Sequence, residues 1–346
     1  VNHPVRVAIL GATGAVGRKM IEVLEQRNFP LSELRLLASP RSAGQTLSYA
    51  GEKLQVEAVQ EDSFEGVDIA LFSAGANTSK QYAPLAVRSH AVVVDNSSAY
   101  RMQEDVPLVV PEVNPHALSR YKGIIANPNC STIQLVVVLH ALRSLGLEEV
   151  VISTYQAVSG MGQTAIDALH RELESGFAAK ESTLFPMASA PFYVPMAFNV
   201  LPQCDVFLEN GYTKEEMKLV QESRKILEQP TLRVAPTAVR VPVVYGHSES
   251  VRVTFARPVS VEEVRVLLAQ AEGVSLADRP EEGIWPHPRM VEGSGQTFVG
   301  RIRSDLFDER SVQFFIVADN LLKGAAYNAV QIAEELVKND WLGKEH

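Results

Sequence analysis

Only two cysteines occur in 346 residues, Cys130 and Cys204. Two thiols cannot build a disulfide framework or a four-cysteine zinc site, and reduced thiols suit a cytosolic compartment. No ligand-spaced cluster of histidine, cysteine and carboxylate points to a metal. Positive charge is scarce as well. Against 41 Asp and Glu stand 32 Lys and Arg, a net charge of −9 with a pI near 5.5, and no basic block is available to neutralise a run of phosphates. Nucleic acid and anionic membrane are therefore excluded as expected partners, which leaves small molecules. No apolar stretch reaches the roughly 20 residues of a membrane span. Val1-Asn2-His3-Pro4 runs into a strand without a basic-then-apolar leader, so a soluble cytoplasmic protein is expected. Internal repeats and low-complexity tracts are missing too. What remains, 46% hydrophobic and 21% charged, is ordinary globular composition at a length that suits two domains.

Val5–Leu10 is a short apolar run suited to a central parallel strand, and Gly11-Ala12-Thr13-Gly14-Ala15-Val16-Gly17 opens a helical pattern over Arg18–Gln26. Glycines at 11, 14 and 17 allow a tight turn, close backbone approach to a pyrophosphate and close packing of helix on strand. Strands at Leu34–Ala38, Asp68–Phe72 and Ala91–Val94 follow, with helical material at Ser79–Ser89, so a doubly wound parallel sheet is predicted. The end of the second strand decides between NAD and NADP. No acidic residue stands there to bind a ribose 2′-OH; Ser39-Pro40-Arg41-Ser42 offers a guanidinium and hydroxyls that suit a 2′-phosphate, and NADP is expected.

Further along, Val150–Ala157, Val239–Val243, Ser250–Phe255 and Val312–Val317 read as strands, and Thr164–Leu173, Val261–Ala271 and Asn320–Val337 as helices. Residues 175–210, rich in Pro, Phe and Met with little periodicity, read as a long ordered excursion at an oligomer interface. The predicted domains are a nucleotide-binding domain over 1–129, completed by a C-terminal helix over 320–346, and an α+β catalytic and dimerisation domain over 130–319.

Asn129-Cys130-Ser131-Thr132 is the most informative stretch, because a strand delivers a cysteine to the first turn of an apolar helix. A free cysteine is usually a small buried hydrophobe. Here the helix dipole and backbone N–H groups favour an anion, lowering a thiol pKa from about 8.5 toward neutrality. Beside a nicotinamide cofactor, a cysteine nucleophile suggests aldehyde oxidation through a thiohemiacetal and a thioester.

GATGAVG, SPRSAG, DNSSAYR, NPNCSTIQ, TYQAVSG, YTKEEMK, RVPVVYGHSESV and DNLLKGAAYNAVQIAEEL, in that order and over essentially the whole chain, resemble aspartate-β-semialdehyde dehydrogenase. The resemblance implies NADPH-dependent reductive dephosphorylation of 4-phospho-L-aspartate to L-aspartate 4-semialdehyde and phosphate, in lysine, threonine and methionine biosynthesis. It implies Cys130 as nucleophile and His247 as acid/base partner, a role that an imidazole titrating near neutrality suits. Arg240 would hold the substrate carboxylate, Glu215 its ammonium, Arg101 the phosphate with Asn129 and Lys218, and Gln156 would orient the substrate. Along the cofactor it places Gly11, Thr13, Gly14, Ala15, Val16, Arg41, Ser42, Ser73, Gly75, Ser159, Gly160, Gly162 and Asn320. The family tendency is a homodimer or a dimer of dimers. Met161 departs from the pattern in standing between two glycines where relatives carry a small residue, and Cys204 falls outside every motif. N-acetyl-glutamyl-phosphate reductase shares the chemistry, but its acetamide has no charge to meet Glu215. Glyceraldehyde-3-phosphate dehydrogenase has a different cysteine context. A catalytically silent NADP-binding paralogue would be expected to have lost Cys130, His247 or Arg240.

Overall fold

In the first strand, β1 (Val5–Leu10), every position except Arg6 is buried, as a strand covered on both faces requires. The computed structural model describes residues 4–178, 182 and 184–342, which divide into two units, Val1–Asn129 with Ala325–His346, and Cys130–Gly324. In the first unit β1 leads to α1 (Ala15–Gln26), β2 (Leu31–Ala38), β3 (Thr46–Tyr49), β4 (Glu52–Ala58), β5 (Ile69–Phe72), α2 (Ala76–Arg88), β6 (Val92–Asp95) and β7 (Ile124–Ala126). The sheet has seven strands in the order β3-β4-β2-β1-β5-β6-β7. All neighbours are parallel except the β3–β4 pair. The chain runs outward from β1 to β4 and then returns to β5 on the other side of β1. The carboxyl ends of β1 and β5 therefore flank the switch point where open α/β sheets bind ligands.

The second unit opens with α3 (Cys130–Ala141) and continues through β8 (Leu147–Gln156), α4 (Gln163–Glu174), α5 (Lys214–Ile226), β9 (Arg233–Arg240), β10 (His247–Phe255), α6 (Val261–Gln270), β11 (Val274–Leu276), α7 (Pro288–Val291), β12 (Thr297–Ser304) and β13 (Ser311–Ala318). Its six-stranded sheet has the order β11-β12-β13-β10-β8-β9, with β8 parallel to β9 and antiparallel to β10. Helix α3 is apolar all round and buried from Ser131 to Leu139, the mark of a helix enclosed by its own unit. It packs on α5, α6, β12 and β13.

Two expected elements are corrected. The strand expected at Val239–Val243 lies at Arg233–Arg240. Pro242 has no N–H for a ladder, and the Val243 N–H turns back to the Val241 carbonyl at 2.8 Å; Pro236 is tolerated because β9 is an edge strand. The terminal helix expected from Asn320 starts with a π-helical turn, Leu322–Ala326, and becomes regular only in α8 (Tyr327–Lys338). One Asp319 carboxylate oxygen accepts the N–H groups of Leu321 and Leu322, at 3.0 and 3.2 Å, and so sets this start. Helix α8 lies against α1, where Arg27 forms a bidentate pair with Glu334 at 2.6–2.7 Å.

Within the predicted excursion, residues 179–181 and 183 lie outside the described residues. Phe185, Met196, Ala197 and Leu201 pack with Ala165, Ile166 and Leu169 of α4, and the Glu172 carboxylate accepts the N–H groups of Met196 and Ala197 at 2.6 and 2.9 Å. The segment is held by one helix face and one buried carboxylate.

A Cβ at Gly17 would lie 2.2 Å from the Gly11 carbonyl oxygen, whereas one at Gly75 would meet nothing within 4 Å. Gly17→Ala is expected to cost about 1–3 kcal/mol, as overpacking does, and Gly75→Ala almost nothing. Thermal denaturation of both variants checks this; equal midpoints would contradict it.

Candidate active site

The turn after β1 is built by close backbone approach. Gly11 has φ +90°, and a Cβ there would come within 2.7 Å of the Ser73 carbonyl oxygen at the end of β5. Gly14 is the N-cap of α1, whose first turn carries no acidic residue, so its N–H groups and positive dipole end are left for an anion. Thr13, Ala15, Val16 and Ser73 are half-buried and Gly14 and Gly75 exposed, forming an accessible rim. Arg41 and Ser42 sit on a 3₁₀ turn directly after β2, with Arg41 exposed. A larger residue at Gly11 or Gly17 would collide with the backbone that forms this turn, and the open N-terminus of α1 that the turn presents fits a dinucleotide pyrophosphate. In the same unit Arg101 is buried, and its guanidinium donates to the carbonyls of Asn127 at 3.0 Å and Asn96 at 2.9 Å. Asn129, also buried, follows two residues after Asn127.

In the second unit Cys130 is the first residue of α3 and partly exposed. Gly324 packs against it so closely that a Cβ there would lie 2.9 Å from the Cys130 Cβ. Cys204 is the opposite kind of thiol. Burial, only partly offset by Arg240, pushes it up to about 11, so it stays protonated and unreactive at neutral pH.

Strand pairing places the other groups. Arg240 is opposite Gln156 across the parallel β8–β9 ladder, and His247 starts β10 on the other side of β8. The next peptide group, Ala157, holds both: its carbonyl accepts from Arg240 Nη1 at 2.9 Å, and its N–H donates to His247 Nδ1 at 3.0 Å. With Nδ1 engaged as acceptor, the neutral ring carries its proton on Nε2. His247 does not titrate near neutrality as expected from the sequence: burial first, and then the Arg240 charge, push its pKa down to about 3, with Glu215 opposing, so at neutral pH the ring is an uncharged Nε2–H donor. Two buried nitrogens, Arg240 Nε and His247 Nε2, have no hydrogen-bond partner. Gly160 borders both side chains: a Cβ on it would stand 3.3 Å from Arg240 Nη1 and from His247 Nε2. Gly160 is itself exposed, so the residue that borders both side chains faces solvent.

Glu215 enters from the first turn of α5, whose start is fixed by a reciprocal cap between Thr213 and Glu216. Its carboxylate accepts from Gln156 Nε2 at 3.2 Å and Lys218 Nζ at 2.9 Å. Lys218 also reaches Asp205 at 3.0 Å. Burial works against its charge, but the two carboxylates raise its pKa on balance. Ser159 and Asn320 hydrogen-bond each other at 2.9 Å, and Asn320 Oδ1 accepts the Gly246 N–H at 2.9 Å. Gly162, at φ +88°, is the N-cap of α4. Met161 packs on the α4 cluster, away from neither glycine in sequence yet anchored by apolar contact.

Cys130, Gln156, Ser159, Gly160, Gly162, Glu215, Lys218, Arg240, His247 and Asn320 thus belong to one unit, and Gly11 to Gly75, Arg41, Ser42, Arg101 and Asn129 to the other. Sequence reasoning missed the Ala157 backbone, Asp205, Gly324 and Gln134, whose Nε2 donates to the His247 carbonyl at 3.3 Å. The last two lay inside the quoted motifs DNLLKGAA and NPNCSTIQ.

Residues 6–121 match the semialdehyde dehydrogenase NAD-binding domain and residues 139–323 the semialdehyde dehydrogenase dimerisation domain. Aspartate-semialdehyde dehydrogenase of Aquifex aeolicus is 52% identical, over 96% of this chain and 98% of its own length; that of Bacillus subtilis is 48% identical over 96% and 97%. Aspartate semialdehyde dehydrogenase II of Vibrio cholerae, solved in complex with ASA, superposes with a TM-score of 0.92 at 45% identity, covering 97% of this chain and 99% of that one. The NADP complex of the Candida albicans enzyme is similar at a TM-score of 0.72 and 25% identity, over 97% and 99%. The chain belongs to the semialdehyde dehydrogenase family, among the aspartate-semialdehyde dehydrogenases, and is an oxidoreductase with a nicotinamide-dinucleotide-binding domain.

A histidine whose folded pKa lies below its unfolded value contributes stability that is complete above about pH 6.5 and is lost as pH falls toward 3. His247→Asn, which cannot take up that proton, should show a shallower fall in thermal midpoint across this interval than the wild type. Parallel slopes in a pH series of melting curves would contradict the buried neutral imidazole.

Proposed function

We propose that this enzyme reduces 4-phospho-L-aspartate to L-aspartate 4-semialdehyde and phosphate, reversibly and with NADPH, through a thioester on Cys130. The observation that carries the reading is a pair of partnerless buried nitrogens, Arg240 Nε and His247 Nε2, on two side chains that both border the exposed Gly160. A buried guanidinium N–H without a partner is costly, and a substrate carboxylate relieves it by a bidentate pair. The V. cholerae relative complexed with ASA and the NADP-bound C. albicans structure support this substrate and cofactor.

In the biosynthetic direction the Cys130 thiolate attacks the acyl carbon. The carbon–oxygen bond to phosphate breaks, phosphate leaves with the bonding pair, and a thioester remains. Position at the N-terminus of α3 favours the thiolate. In the first unit Gly11, Thr13, Gly14, Ala15, Val16, Ser73 and Gly75 would hold NADPH, with Arg41 and Ser42 at its 2′-phosphate, and by the resemblance Ser159, Gly160, Gly162 and Asn320 would lie along its nicotinamide; when bound it would supply the hydride. His247, the acid/base partner, holds its Nε2 proton at the substrate oxygen, which bears negative charge in each tetrahedral intermediate. When the thiohemiacetal collapses, the carbon–sulfur bond breaks and the thiolate is regenerated. Arg240 fixes the α-carboxylate and Gln156 orients the chain. Glu215 meets the ammonium, which has no counterpart in an N-acetylated substrate. Arg101 binds phosphate with Asn129. Lys218 adds positive charge for phosphate by the resemblance, and in this geometry its first task is to hold Glu215.

The matched dimerisation domain and the exposed aromatics Phe177, Phe192, Phe198 and Phe207 of the second unit support a homodimer, with a dimer of dimers as the larger alternative. Among the described residues no helix is long and apolar enough to cross a membrane, in keeping with a cytoplasmic enzyme of lysine, threonine and methionine biosynthesis.

Nicotinamide absorbance with L-aspartate 4-semialdehyde and phosphate tests the reading. Wild type should reduce NADP in a phosphate-dependent way and NAD poorly, and Cys130→Ala should be inactive. Arg240→Lys should raise the semialdehyde KM about tenfold or more, the loss expected when a bidentate pair is reduced to a point charge. Turnover by Cys130→Ala, or activity only with N-acetyl-glutamate semialdehyde, would overturn the assignment.

A further inference from the structure

Glu249 stands two residues after His247 on β10, so both side chains leave the same face of the sheet. It is fully buried, and neither carboxyl oxygen has a hydrogen-bond partner of ordinary geometry. Burial pushes its pKa well above the carboxylate range; among the described residues only the Gln134 side chain opposes this, and no charged group faces it. An unpaired charge in such a place costs more than uptake of a proton. Glu249 is therefore a carboxylic acid with one O–H to donate. A matching acceptor is at hand. Gln134 Oε1 is buried without a partner while its Nε2 donates to the His247 carbonyl at 3.3 Å. Gln134 also lies four residues after Cys130 on α3, on the same helix face.

We propose that Glu249 is a positioning residue for Cys130 and His247: its uncharged carboxyl group engages the Gln134 amide and so ties the first turns of α3 to the start of β10. A carboxylic acid does this without setting a negative charge near a thiolate. The inference rests on the roles assigned above to Cys130 and His247.

The test compares Glu249→Gln and Glu249→Leu with wild type in kcat and KM, in the pH profile of Cys130 alkylation by iodoacetamide, and in thermal midpoint against pH. Glutamine keeps an uncharged donor and should rescue: kcat within about threefold of wild type, with the alkylation profile kept. Leucine fills the volume but removes the donor, and should lower kcat about tenfold or more with the semialdehyde KM changed less than about twofold. A carboxyl group with a raised folded pKa contributes stability that is present below about pH 4.5 and is lost as pH rises. The midpoint of Glu249→Gln relative to wild type should therefore climb as pH rises above about 4.5. Loss of kcat in the glutamine variant equal to that in the leucine variant would overturn the proposal, as would an unchanged kcat in the leucine variant. A pH-independent midpoint difference would overturn it too. If the leucine variant does not fold, the glutamine variant decides through its alkylation profile and its midpoint series. Both are read without turnover, so they remain distinct from the activity of Cys130→Ala, on which the proposed function stands or falls.

Discussion

One peptide group governs the geometry of the second unit. The carbonyl of Ala157 holds the Arg240 guanidinium and its N–H holds the His247 ring, so a charge and a neutral imidazole arriving from two different strands are referred to the same rigid point. Backbone groups are suited to this task because their positions are fixed by the sheet on either side. The register of β8 with β9 and β10 brings Gln156 opposite Arg240 and Tyr155 opposite Ser248. A shift of one residue in either ladder would send the side chains to the opposite face. The tautomer of His247 follows from the contact that this register permits, and its depressed pKa from burial and the nearby Arg240 charge.

Around this point the unit buries charges in matched sets. Glu215 is shared between Gln156 and Lys218, Lys218 between Glu215 and Asp205, and Glu216 closes the α5 cap while accepting the Ala238 N–H at 2.9 Å. Such networks rigidify when every member has a partner. The nitrogens left over among these groups, on Arg240 and His247, are then conspicuous. The two cysteines illustrate the same rule from opposite sides. Cys204 is enclosed and its thiol pushed up, while Cys130 is partly exposed at a helix start.

The sequence made legible what local chemistry decides. Strand β1, the glycine turn and α1 were readable because each glycine has a steric reason that leaves a spacing, and Cys130 at the head of α3 was readable from the apolar run that follows it. The β3–β4 hairpin was not, because the edge strand β3 and its neighbour β4 are half-exposed and carry no continuous apolar run. Nor was the shift of β9, which turns on the missing N–H of Pro242, or the π-helical start before α8, which depends on a carboxylate cap from Asp319. His247, Arg240 and Glu215 emerged through family motifs, since three residues on separate elements meet only when tertiary register joins them. Glu249 was hidden for the reason that makes it interesting: as letters in a strand it is a charged residue, and only its burial shows that the ionised form is disfavoured.

The central claim is that Cys130 carries the substrate as a thioester. Incubating the enzyme with L-aspartate 4-semialdehyde and NADP in the absence of phosphate, quenching in acid and mapping peptides by mass spectrometry tests it most directly. The account predicts an aspartyl adduct on the peptide that contains Cys130, discharged when phosphate is added before the quench. An unmodified Cys130 peptide during active NADP reduction, or an adduct on Cys204 instead, would contradict it.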